Sequence, residues 1–169
     1  MTQLSTESST FVEVEKFLGA KGRSALRFWW QGWMSTAFNV GPNTRLRVRP
    51  RLTAARWTGD VDAASKLAAV LADNAARHGK PFAPDDRILL RLWCVEETGE
   101  LIIEVDDTEP AFPGFEDLAT APSDGSRPSS LWWVLHRGGR LAWKATFDDD
   151  GNITGKTVQL VLPQHWTLP

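Results

Sequence analysis

The chain has 169 residues, 42% hydrophobic and 24% charged, with a formal net charge of −2. That is room for one domain with a full core, and the near-balance of charge argues against wholesale nucleic-acid binding. A lone cysteine, Cys94, excludes an internal disulfide, Met1–Thr10 is too polar for a secretory signal, and no apolar run of about 18 residues is present, so a reduced, cytoplasmic protein without a membrane span is expected.

Residues 1–10 are rich in Ser and Thr and read as a disordered tail. Residues 11–43 read as an N-terminal helical element. Phe11–Leu18 is short and amphipathic and ends at Gly19, and Ser24–Phe38 sets Leu26, Trp29, Trp30, Trp33 and Ala37 on one wide apolar face. Nine tryptophans in a chain without tyrosine invite a partner surface or a ligand wall as well as a core. Gly41-Pro42-Asn43 turns the chain. Thr44–Pro50 then alternates, with Arg45, Arg47 and Arg49 pointing one way and Leu46 and Val48 the other, which predicts a half-buried strand with a basic outer face. Such a face is either a solvated edge that discourages aggregation or a patch for phosphates or an acidic partner.

The next element is a helix that starts near Asp60 or Asp62 and stops at Gly79. Asp is a good N-cap, a carboxylate in the first turn suits the helix dipole, and Gly79 followed by Pro81 ends the run. Ala63, Leu67, Val70 and Leu71 form its apolar stripe, and Asn74 and His78 fall inside that stripe. Two accounts fit. Either Asn74 bonds neighbouring backbone while His78 caps the helix end, or the helix lines a cavity and the Asn oxygen faces a cation or polar ligand.

Arg87–Glu96 and Leu101–Asp106, joined by Thr98-Gly99, predict an antiparallel hairpin. Pro110–Ser129 reads as a long loop, of the kind used as a lid or binding segment. A short helix over Ser130–Arg137 ends at Gly138-Gly139, and Arg140–Phe147 with Thr157–Leu162 forms a second hairpin across Asp148–Asn152. Hairpins separated by helices predict an α+β two-layer sandwich, with a mixed, mostly antiparallel sheet covered on one face by helices over residues 44–169.

Three of these segments together resemble one family. Leu71–Gly79 (L-A-D-N-A-A-R-H-G) resembles the Asn-bearing helix of the histidine-kinase-like ATPases, in particular their small anti-sigma-factor, serine-kinase branch. Leu101–Pro110 (L-I-I-E-V-D-D-T-E-P) resembles the strand that ends in that family's adenine-binding Asp. Gly155–Leu162 (G-K-T-V-Q-L-V-L) resembles its G-K-T-V strand. The resemblance spans roughly residues 60–162 and implies ATP and Mg²⁺ as cofactors. It assigns Asn74 to the metal and Asp107, with Asp106 as alternate, to the adenine amino group. It puts Thr157 beside adenine, and Arg77, His78 and Ser130 near the phosphates.

The departures from the family pattern concern turnover. Where the active branch carries a general-base Glu one turn before the Asn, this chain has Val70, which cannot take a proton. The Gly-rich phosphate lid is replaced by Arg127-Pro-Ser-Ser-Leu131, in which Pro128 removes an amide. The resemblance therefore implies a degenerate ATP-binding domain that acts as a regulatory module on a protein partner, with nucleotide binding weak or lost and a homodimer compatible with it. One alternative is an active Mg·ATP-dependent serine kinase or ATPase using Asp73 or Glu109. A second is a nucleic-acid-binding module using the Arg45–Arg56 face, with Trp29, Trp30 and Trp33 for stacking.

Overall fold

The computed structural model describes residues 11–14, 26–119 and 122–167, and in it two helices lie across one face of a five-stranded sheet. In chain order the elements are β1 (Leu26–Ser35), α1 (Val40–Ala54), α2 (Val61–Arg77), β2 (Arg87–Val95) and β3 (Leu101–Asp107). A 3-10 turn (Glu116–Ala119), α3 (Ser130–His136), β4 (Arg140–Phe147) and β5 (Ile153–Leu162) follow. The strands lie in the order β1-β2-β3-β5-β4. This is the expected α+β sandwich, but every neighbouring pair is antiparallel, so the sheet is not mixed. The expected tail over residues 1–10 lies outside the described residues.

The helix that carries Asn74 forms for the reasons its sequence suggests. Asp60 caps it by accepting the Ala63 N–H at 2.9 Å, Asp62 sits in the first turn, and Arg77 sits in the last. Leu67, Leu71, Ala64, Ala68 and Ala72 are buried against the sheet, where small residues let the helix approach closely. Removing the cap by Asp60→Ala is expected to lower the unfolding free energy by about 1 kcal/mol, read as a lower urea midpoint at unchanged slope.

The first two predicted elements are exchanged. Residues 26–35, expected as a helix, form edge strand β1, and residues 40–54, expected to contain a strand, form α1. Tryptophans on both faces of β1 hide its two-residue period. Phe28, Trp30 and Met34 pack on the helix side, while Trp29 and Trp33 are 43% and 41% exposed on the other. In α1 the buried residues Val40, Thr44, Val48 and Leu52 recur every four positions, a helical stripe that overrides the arginine alternation. Pro50 lies inside this helix. It cannot donate to the Leu46 carbonyl, and both residues are on the exposed side, where water can serve that oxygen.

Alternation in the strands sorts the rest. Ile88, Leu90 and Leu92 of β2, Leu101, Ile103 and Val105 of β3, and Val158, Leu160 and Leu162 of β5 build the main core under the helices. The opposite face holds a smaller cluster of Val14, Leu26, Trp93, Val95, Ile102 and Val161. There the Gln159 carboxamide pairs with both backbone groups of Val12, donating to its carbonyl and accepting its N–H, each at 2.9 Å. Cys94 is buried in the main core, and burial pushes its thiol pKa up, which keeps it inert.

Candidate functional site

At the C-terminal end of α2 the helix, the end of β3 and the start of β5 converge on a hollow of about 260 Å³. Leu71, Asn74 and Ala75 line it from the helix, His78 and Gly79 from just past the helix end, and Asp107, Lys156 and Val158 from the strands. Residues 111–114 form the outer wall. The anomaly in the apolar stripe is resolved here: Asn74 is half-buried because its face of the helix ends in this hollow. Its backbone carbonyl accepts from the His78 and Gly79 amides at 2.9 and 3.3 Å. The side-chain amide takes no partner among the described residues.

Asp107 is the floor of the site. Its Oδ1 accepts from Lys156 Nζ at 2.9 Å and from the Glu109 N–H at 2.9 Å. Its Oδ2 is buried and has no hydrogen-bond partner among the described residues. Burial pushes the carboxyl above its ordinary pKa, and the hydrogen bond and charge of Lys156 pull it back. Gly79 makes room for this oxygen, because a Cβ there would stand 2.5 Å from Oδ2. A buried acceptor without a partner costs about 1–3 kcal/mol, which an N–H donor brought to it would offset.

The wall is stitched to this floor. Lys156 Nζ also donates to the Glu109 carbonyl at 3.1 Å, and Thr108 bonds the Lys80 carbonyl through both its N–H and its hydroxyl. Phe112 lies edge-on to Phe115 at 5.1 Å between centroids and tilted toward Trp143 at 6.3 Å. The residues past β3 thus form a fixed rim with an aromatic lining.

Of the predicted site residues, Asn74, His78 and Asp107 come together in this hollow, and the other three do not. Arg77 points outward and pairs with Asp73 at 2.9 Å. Ser130 follows the N-cap of α3, where Ser129 accepts the Trp132 N–H, and does not line the hollow. Thr157 lies on the opposite face of the sheet, because strand side chains alternate and Lys156 and Val158 take the helix side. Its hydroxyl donates to Asp106 Oδ1 at 2.6 Å, so Asp106, the alternate adenine reader, is also on the wrong face. Lys156 was missed, although counting back by twos from Leu160 places it beside Asp107.

The residues of the hollow fit part of a nucleotide. A buried acceptor suits an exocyclic amine, and one free amide oxygen suits a Mg²⁺ held mainly by phosphate and water. Among the described residues Asp107 is the only carboxylate lining the hollow, and it is held by Lys156. The place of the expected base is taken by Val70, which packs against the core.

Three arginines of the basic segment make contacts to neighbouring elements. Arg51 and Arg47 stack over Trp30 at 4.3 and 5.3 Å, Arg47 Nη1 donates to the Trp33 carbonyl at 2.6 Å, and Arg49 pairs with Asp62 at 3.2 Å. Those three side chains tie α1 to β1 and α2, while Arg45 remains exposed. Among the described residues no helix is long and apolar enough to cross a membrane. No protein-family model matches the chain, and no curated protein matches it.

Proposed function

We propose that this hollow is a nucleotide-type ligand site kept for binding and not for turnover, in a domain that regulates a protein partner. The observation that carries the reading is the meeting of Asn74 and Asp107 in one hollow, with the buried Oδ2 of Asp107 lacking a donor. At about 260 Å³ the hollow is below the roughly 300–1,000 Å³ usual for drug-sized ligands. It suits a heteroaromatic base, with phosphates left at the mouth beside His78. Among the described residues the carboxylate lining the hollow is Asp107, held by Lys156, which favours a role in binding over one in activating water or a hydroxyl. The family resemblance in α2, β3 and β5 points the same way. The exposed Trp29 and Trp33, on the sheet face away from the hollow, support the protein-binding half of the reading.

A thermal-shift assay with Mg·ADP and Mg·ATP tests it. A ligand at about a hundredfold excess over its Kd stabilises by about 2.7 kcal/mol, a rise of roughly 5–11 °C for a chain of this size. That rise is expected in the wild type and absent in Asp107→Ala, with no phosphate released from ATP by either. No shift in the wild type, or steady phosphate release, would refute the reading.

A further inference from the structure

The hollow carries an ammonium where a ligand-reading carboxylate would ordinarily be free to use both oxygens. Lys156 is buried, 4% exposed, on the strand next to Asp107, and the register pairs the two directly. Its Nζ takes Oδ1 at 2.9 Å and the Glu109 carbonyl at 3.1 Å, and lies 5.8 Å from the centroid of the Phe112 ring. The Glu109 N–H takes Oδ1 as well. Only Oδ2 is left, and it is buried without a partner among the described residues. Among the described residues the other charged or titratable groups near this carboxylate are His78 beyond the helix end, the Glu109 side chain in the rim, and Lys80, which pairs with Glu109 at 3.5 Å.

We propose that Lys156 is a specificity-determining residue of this hollow: by holding Oδ1 it reduces Asp107 to one acceptor beside a fixed positive charge. The site then admits a ligand offering a neutral N–H, such as an amine on a heteroaromatic ring, and turns away amidines and guanidines. This rests on the reading of the hollow as a ligand site. The physical reason is twofold. An amidinium binds a carboxylate through two parallel N–H bonds, and one of the two oxygens is already used. A second cation would also stand within a few ångströms of the ammonium, in a buried place where water screens little. A neutral amine needs one oxygen and meets no repulsion. Because Lys156 also holds the Glu109 carbonyl, the same ammonium fixes the rim under which such a ligand would slide.

The test is titration calorimetry on the full chain with adenosine and benzamidine as the neutral and cationic probes, for wild type and Lys156→Met. Carboxyl-carbon NMR of Asp107 is followed in both. In the wild type adenosine is expected to bind and benzamidine to bind at least about tenfold more weakly. In Lys156→Met the preference is expected to reverse. The Asp107 titration midpoint is expected to rise, because the Lys156 hydrogen bond and charge that pull it down are gone. If Lys156→Met does not fold, Lys156→Gln, which keeps a donor and loses the charge, carries the same comparison. Adenosine binding with an unaltered preference in the variant, or an unmoved Asp107 midpoint, overturns the assignment of Lys156 alone. Failure of the wild type to bind adenosine overturns the ligand-site reading and this inference with it.

Discussion

Arg91→Met is expected to lower the unfolding free energy by about 3–5 kcal/mol, enough to leave a marginal domain largely unfolded. The guanidinium lies on the sheet face away from the helices and donates twice to Asp106, at 2.5 and 2.6 Å, and to Glu104 at 3.4 Å. The three side chains are only 15%, 16% and 7% exposed, so removing the cation leaves two largely buried carboxylates without their counter-charge. Burial opposes the charge on Arg91, and the hydrogen bonds and charge of Asp106 more than restore it. Glu104 also accepts the Trp93 Nε1–H at 2.6 Å and sits beside Gln159, so the network cannot simply swing out to solvent.

The loss should depend on pH in a definite sense. Burial already holds Glu104 above its ordinary pKa, with Arg91 pulling it down, and Arg91→Met lifts it further. A carboxyl whose folded pKa is raised contributes stability that is full below its unfolded value and disappears as pH rises through the folded value. The deficit of the variant is therefore largest at neutrality and shrinks as pH falls between those two values. Urea titrations across the acid range should show the two stabilities converging. Combining Arg91→Met with Glu104→Gln and Asp106→Asn should recover much of the loss at neutral pH, because no charge is then left unpaired.

Gly155→Ala is expected to cost about 2–4 kcal/mol, from backbone strain together with overpacking. Gly155 pairs with Thr146 of β4 and directly precedes Lys156, where the register of β5 against β3 begins; its φ is +155°, and a Cβ there would overlap the Asp107 carbonyl oxygen and stand 2.8 Å from the Thr108 Cα. The obstruction is backbone, which cannot rotate away. The same substitution displaces the strand end that carries Asp107 and so should damage the hollow as well as the fold. Gly151→Ala is the control. It also has a positive φ, +81°, but a Cβ there meets nothing within 4 Å, so only the conformational strain of about 1–2 kcal/mol is expected. Equal denaturant midpoints for the two variants would contradict this.

How much of this was legible beforehand varies along the chain in ways that have physical causes. Helix α2, both hairpins and the short α3 follow from caps, turn glycines and periodicity, since there local preference and tertiary packing agree. The N-terminal half misled because its strongest local pattern was the wrong one. In α1, Arg45, Arg47, Arg49 and Arg51 alternate like a strand, whereas the four-residue spacing of Val40, Thr44, Val48 and Leu52 decides the burial. In β1 the tryptophans serve two purposes, some packing under α1 and others exposed, and no single-face template describes that. The site was half legible. Asn74 was marked by being polar in an apolar stripe, and Asp107 by the family resemblance. The family resemblance assigns Thr157, but strand parity puts Thr157 on the far face of the sheet and Lys156 beside Asp107.

The central claim is that a ligand enters between Asn74 and Asp107, and a backbone-amide NMR titration of the full chain with Mg·ADP tests it most directly. Shifts are expected to cluster at residues 74–79, 107–114 and 156–158, and to vanish in Asp107→Ala. Shifts confined to the Arg91 and Thr157 face of the sheet, or no shifts at millimolar ligand, would contradict it.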